Sequence, residues 1–145
     1  MTVHLIKLCV GADSVEDLAA WIDETLAARR ADGRPVEQIH TTRMAPKRRD
    51  EILDGGSLYW VVRGVVCVRQ RLLDLRSAVG ADGIRRCELV LEPKLVLTER
   101  RFRGPFQGWR YLEAKDAPAD IATDDADGTR PPEEMRAALA ELGLL

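Results

Sequence analysis

Histidine, cysteine and aromatic side chains are all scarce in this chain: two His, three Cys, and 5% aromatics in 145 residues. A metal centre needs three or four converging ligands, and His4, Cys9, His40, Cys67 and Cys87 share no diagnostic spacing, so neither a metal nor a cofactor is expected. The cysteines are odd in number and far apart, unlike the paired cysteines of a disulfide scaffold, which predicts reduced thiols. Long apolar runs are missing too. The longest, from Leu58 to Val68, is interrupted by Arg63 and falls short of the ~20 residues that cross a bilayer. No basic stretch precedes the apolar residues of Met1-Thr2-Val3-His4-Leu5-Ile6-Lys7, and no small-residue cleavage pattern follows. These absences together predict a cytoplasmic protein without a membrane partner.

Catalytic signatures are equally sparse. Gly55-Gly56-Ser57 lacks both the Gly-Lys-Ser/Thr of a phosphate loop and the Gly-x-Ser-x-Gly of a nucleophile elbow, so it reads as a helix stop leading into a strand. Asp50-Glu51 and Asp124-Asp125 sit in polar contexts, where solvated charge is the simpler reading. A nucleophilic pairing of Cys67 or Cys87 with His40 has no local motif to support it.

What the chain does contain is apolar mass and arginine. A hydrophobic fraction of 46% beside 32% charged residues suits a globular chain, and the length suits one domain over residues 1–145. The net charge of −2 conceals an uneven distribution. Residues 1–40 carry four Lys/Arg against seven Asp/Glu, residues 41–112 fifteen against eight, and residues 113–145 three against nine. Such a basic middle either attracts a polyanion or is neutralised by the acidic ends.

Periodicity predicts an α+β domain. Val3 to Val10 reads as a strand, and Val15, Leu18, Ile22 and Leu26 then define a helix over about 14–30, capped near Asp13-Ser14 and stopped by Gly33-Arg34-Pro35. Val36 to Met44 is a second strand, and Pro46 opens a short helix that turns Ile52 and Leu53 inward. From Leu58 to Leu72 the even positions are nearly all apolar and the odd ones include Arg63, Arg69 and Arg71, which reads as one long strand bent at Gly64. A helical period through Val61, Val65, Val68, Leu72 and Leu75 competes over 65–76, but the β-branched content favours a strand. Gly80-Ala81-Asp82-Gly83 is a turn, and Cys87 to Leu91 and Leu95 to Thr98 are strands split by Glu92-Pro93-Lys94. An acidic loop over 115–130 precedes a C-terminal helix begun by Pro131-Pro132. The expected architecture is a curved, mostly antiparallel or mixed sheet, or a small barrel, flanked by N-terminal, central and C-terminal helices.

One signal rises above this background. Arg43, Lys47, Arg48, Arg63, Arg69, Arg71, Arg103 and Arg110 would clasp phosphates through charge-assisted bonds, while Tyr59, Trp109 and Tyr111 would stack on bases. This predicts a module that binds single-stranded nucleic acid or a nucleotide. A second reading is a small enzyme for an anionic metabolite, clamped by Arg69, Arg71 and Arg110 beside a reacting His40 or Cys67. A third is a structural or partner-binding domain using Met135, Leu139 and Leu142 of the last helix.

Three blocks, His4-Leu5-Ile6-Lys7-Leu8-Cys9-Val10-Gly11, Gly55 to Gly64 with Arg69-Gln70-Arg71, and Pro105-Phe106-Gln107-Gly108-Trp109-Arg110-Tyr111-Leu112, resemble the bacterial domain-of-unknown-function family 1489. That family implies no activity and no catalytic residue. The order of elements is also similar to PUA-like barrels of the ASCH and EVE groups, a likeness that implies RNA or modified-base binding by analogy of fold alone.

Overall fold

The computed structural model describes residues 2–121. The helix read from Pro131 onward, and the acidic stretch beyond Ile121, lie outside them. Within these residues the chain runs β1 (Val3–Leu8), α1 (Val15–Ala31), β2 (Gln38–Thr42), α2 (Arg49–Leu53), β3 (Ser57–Val62), β4 (Val65–Val79), β5 (Arg85–Leu91), β6 (Val96–Phe102) and β7 (Trp109–Glu113). The α+β expectation is met by a mixed sheet of seven strands with two helices among the described residues.

α1 begins where the capping chemistry directs. Ser14 accepts a hydrogen bond from the Asp17 N–H at 3.1 Å, and Asp17 answers by accepting from the Asp13 N–H. Val15, Leu18 and Ile22 are buried on the inner face of the sheet, while Glu16, Asp17, Asp23 and Glu24 face outward. Gly56 closes α2 against β1. A Cβ there would run into the carbonyl oxygens of Ile52 and Val3, so only glycine lets the helix end pack on the strand.

The segment read as one bent strand is a hairpin. Arg63 and Gly64 both have positive φ, 51° and 76°, as a two-residue turn requires, and Val62 pairs directly with Val65. The turn reverses the chain where a bend would only have deflected it. β4 is the spine of the sheet: β3 pairs with its first half on one side, while β5 and β6 follow one another along it. Glu92-Pro93-Lys94 therefore separates two consecutive partners of β4, and β5 does not pair with β6.

The strand order is β2-β5-β4-β3-β1-β7, with β6 also on β4, and only β1 and β3 run parallel. The sheet is open, which corrects the expected PUA-like barrel. It nevertheless curls. In a flat sheet β2 and β3 would lie ~14 Å apart with two strands between them, yet the His40 and Trp60 rings meet edge to face at 5.2 Å. The curl carries the segment after β2 against β7, where Trp109 Nε1 donates to the Met44 carbonyl at 2.7 Å and the Tyr111 hydroxyl accepts from the Lys47 N–H at 2.8 Å. Side chains make this seam in place of a backbone ladder, and Pro46 within it has no N–H to offer one.

The core holds a polar knot. Gln38 and Gln70 are both fully buried and exchange amide hydrogen bonds at 2.6 and 3.3 Å. Trp60 Nε1 donates to Gln70 Oε1 at 2.9 Å, and Gln70 Nε2 donates to the Glu92 carbonyl at 3.0 Å. Truncating one member strands the others, and each buried orphan costs about 1–3 kcal/mol. Gln70→Leu is expected to lower the unfolding free energy by about 3 kcal/mol or more in urea denaturation. The double change Gln38→Leu/Gln70→Leu is expected to recover part of that loss, because it removes one of the stranded amides.

Candidate functional site

The sheet has two faces with different fates. The inner face carries the main core, including Leu5, Leu58, Trp60, Leu72 and Leu89. On the outer face Ile6, Tyr59, Val61 and Val66 form a smaller cluster, packed against Phe106, Leu112 and Ala117 from the chain around β7. Burial of that outer cluster decides which of the sequence-predicted residues remain available.

The three expected stacking rings are all occupied. Tyr59 is buried against the His4 ring at 5.1 Å, Trp109 is buried with its Nε1 on Met44, and the Tyr111 hydroxyl caps the Lys47 and Arg48 N–H groups. Several of the expected cations are also committed. Arg48 is held by Glu51 at 2.6 Å and Glu113 at 2.7 Å while its guanidinium lies 5.3 Å from the centre of the Tyr111 ring. These carboxylates raise the pKa of Arg48 further above its usual value. Arg69 grips both oxygens of Asp120, at 2.8 and 2.7 Å, and donates to Ser57 Oγ at 3.0 Å. Arg71 shares a shallow groove with Arg69 and Lys94 beside Glu92, while Arg43 and Lys47 are exposed near the seam.

Arg63, Arg103 and Arg110 gather at a different edge. The Arg103 N–H donates to the Gly64 carbonyl at 2.9 Å, which joins the start of the β6–β7 segment to the β3–β4 turn bearing Arg63. The guanidinium carbons of Arg103 and Arg110 lie 5.3 and 5.6 Å from the centre of one ring, Phe106. Neither makes an ion pair among the described residues, and Arg110 instead donates to the carbonyls of Gln107 and Trp109. Arg63 has only a loose contact with Asp13 at 3.9 Å between two exposed side chains, which is worth little. Beside them Arg101 donates to the Asp116 carbonyl, and Phe102 is 86% exposed. The edge therefore offers guanidinium forks around one ring, with a second ring in solvent. Phe102 and Phe106 were not among the predicted site residues. Gly104, Pro105 and Gly108, which keep their segment off the sheet, were the available signal.

The clamp expected of an enzyme does not assemble. Arg69, Tyr59, Ile6 and Arg110 form one cross-strand row over β4, β3, β1 and β7, which sets the two arginines ~14 Å apart on the outer face. His40 and Cys67 belong to the inner face. No group of three or more His, Cys, Asp or Glu converges to hold a metal among the described residues. The three thiols are free; burial pushes Cys9 and Cys67 up to about 11 and raises Cys87, so each stays protonated at neutral pH.

The sequence model of a family described as proteins of unknown function, DUF1489, matches residues 5–145. The chain belongs to that family. Comparison of this DUF1489 protein with curated proteins and with solved structures gives no match.

His40 gives the DUF1489 fold a measurable pH dependence. Burial lowers its pKa from 6.5 to about 4, with a smaller push from Lys7, and its Nε2 is buried without a hydrogen-bond partner. Between those values the unfolded chain takes up a proton that the folded chain refuses, so stability rises with pH across the window. The contribution of His40 is complete above about pH 6.5 and is lost as pH falls toward 4, a swing of about 3 kcal/mol. Urea midpoints measured from pH 7 to 4.5 are expected to fall less steeply for His40→Gln than for the parent.

Proposed function

We propose that this protein binds a phosphate-bearing polyanion, single-stranded nucleic acid being the class that best fits, along the edge formed by Arg63, Arg101, Arg103 and Arg110. The observation that carries the reading is the pair of guanidiniums over the Phe106 ring with no ion-paired carboxylate among the described residues. A guanidinium fork matches a phosphate's two oxygens, and the Phe106 ring, packed on the outer cluster beneath both guanidiniums, holds the two forks together. Phe102 extends the same edge with a ring already in solvent. Glu113 and Asp120 neutralise Arg48 and Arg69, whereas Arg103 and Arg110, like Arg43, Lys47 and Arg71, have no ion pair among the described residues; only Arg103 and Arg110 of these lie over an aromatic ring.

Fluorescence anisotropy with short labelled RNA and DNA at low salt tests the proposal. Binding is expected to weaken as salt rises, with a slope of about 0.7 per phosphate neutralised on a single strand. The double variant Arg103→Ala/Arg110→Ala is expected to lower that slope by about 1.4. Phe102→Leu is expected to weaken single strands more than duplex, whereas Arg34→Ala, just after α1, changes nothing. Lack of any salt-sensitive binding at tens of micromolar protein would remove the proposal.

A further inference from the structure

The inner face contains a feature that the arginine edge does not use. On β1 the residues Val3, Leu5, Lys7 and Cys9 alternate onto that face, and the last two pass the end of the packed core. Lys7 pairs in register with Trp60 of β3 on one side and Trp109 of β7 on the other, so a cation stands in a row of indoles. No carboxylate pairs with its ammonium among the described residues, and burial lowers its pKa. A cation half removed from water and left without a counterion is an unfavourable arrangement unless something supplies the charge.

Beside Lys7 the structure leaves room for such a group. The carboxyl end of β1, the loop into α1, and β2 enclose a cavity of about 210 Å³. Leu8, Val10 and Leu18 and the rings of Trp21 and Trp60 supply most of its wall, while Lys7, Cys9 and His40 are its polar groups. The volume lies below the ~300–1,000 Å³ of sites for drug-sized ligands, which limits an occupant to about one ring or a short branched chain. We propose that this cavity binds a small organic monocarboxylate with a flat apolar body, the Lys7 ammonium serving as its counterion and the Trp21 and Trp60 rings as its walls.

The remaining groups narrow the chemistry. His40 lines the cavity uncharged at neutral pH, so it brings no second positive charge to the site. One cation in a largely apolar wall suits a singly charged carboxylate better than a phosphate, whose second charge would stay unpaired and poorly solvated. Cys9 holds its proton at neutral pH, which suits a non-covalent site. The cavity lies at the carboxyl end of β1, where the chain leaves the sheet for α1.

Trp21 and Trp60 make the site self-reporting. Titrating intrinsic fluorescence with benzoate is expected to give a saturable change, and benzamide, of the same shape without the charge, is expected to bind at least tenfold more weakly. Lys7→Met, which keeps the chain length and removes the charge, is expected to lower benzoate affinity about 10- to 100-fold while leaving benzamide unaffected. Trp21→Ala alters a ring that is already 45% exposed, so the fold should persist, and it is expected to weaken both probes. Arg103→Ala/Arg110→Ala is expected to bind benzoate as the parent does, which separates this cavity from the arginine edge. No saturable response to benzoate in the parent, or unchanged benzoate affinity in a folded Lys7→Met, would overturn the proposal.

Discussion

Two side-chain amides hold the architecture together. Gln38 lies on β2 and Gln70 on β4, with a strand between them, and their reciprocal bonds close only if the sheet curls enough to bring them face to face. The same knot takes the Trp60 N–H and the Glu92 carbonyl, so β2, β3, β4 and the break between β5 and β6 are fixed by one set of hydrogen bonds. In an apolar core such a network is stabilising only when every member is satisfied, and that requirement selects one curvature. From the curvature follow the contact of His40 with Trp60, the seam between Met44 and Trp109, and the cavity beside Lys7.

The central hairpin shows how far periodicity can be trusted. Reading Leu58 to Leu72 as one strand placed Arg69 and Arg71 opposite Leu58, Trp60, Gln70 and Leu72, and the structure agrees on those faces. Two errors cancel to give that agreement. The turn at Arg63-Gly64 makes Val62 and Val65 share a face, which shifts parity by one, and the extra residue at Cys67 between the Val61–Val66 and Trp60–Val68 pairs shifts it back. A second irregularity, at Leu73, shifts it again and leaves that leucine 51% exposed while Leu75 returns to the core. Alternation in sequence records the faces of a strand. It records neither chain reversals nor bulges, because both preserve local composition.

α1, β1, the short helix near Pro46 and the turn at Gly80-Gly83 were legible for local reasons: a cap, a period, a glycine at positive φ. The arginine site was legible only in part because its outcome depends on distant partners. Arg48 is neutralised by Glu113, 65 positions away, and Arg69 by Asp120, 51 away. Glu51, three residues on, is a local partner of Arg48, but nothing beside either arginine announces the distant one. The rings failed for a related reason. Tyr59 sits on the outer face as its odd position suggests, but Ala117 and Phe106 belong to chain that folds back over it. Exposure of a sheet face is a property of whatever crosses it, so the ring left in solvent is Phe102, at the last position of β6.

Arg63 is where the structural and functional arguments meet. Among the described residues it alone combines a side chain with positive φ, at a turn position that asparagine or glycine occupies at less cost. A β-hairpin needs no charge at its tip, and the 3.9 Å contact with Asp13 is too loose and too exposed to offset the strain. The chain nevertheless keeps a guanidinium there, at the carboxyl end of β3. On one side stands the Arg103 backbone, and on the other the loop from Cys9 to Ser14 that walls the Lys7 cavity. Backbone strain that stability does not explain argues for a role of the side chain itself. Arg63 thus stands between Arg103 and Arg110, which make no ion pair among the described residues, and a cavity whose Lys7 has no counterion among them, an arrangement that fits the anion recognition proposed for both.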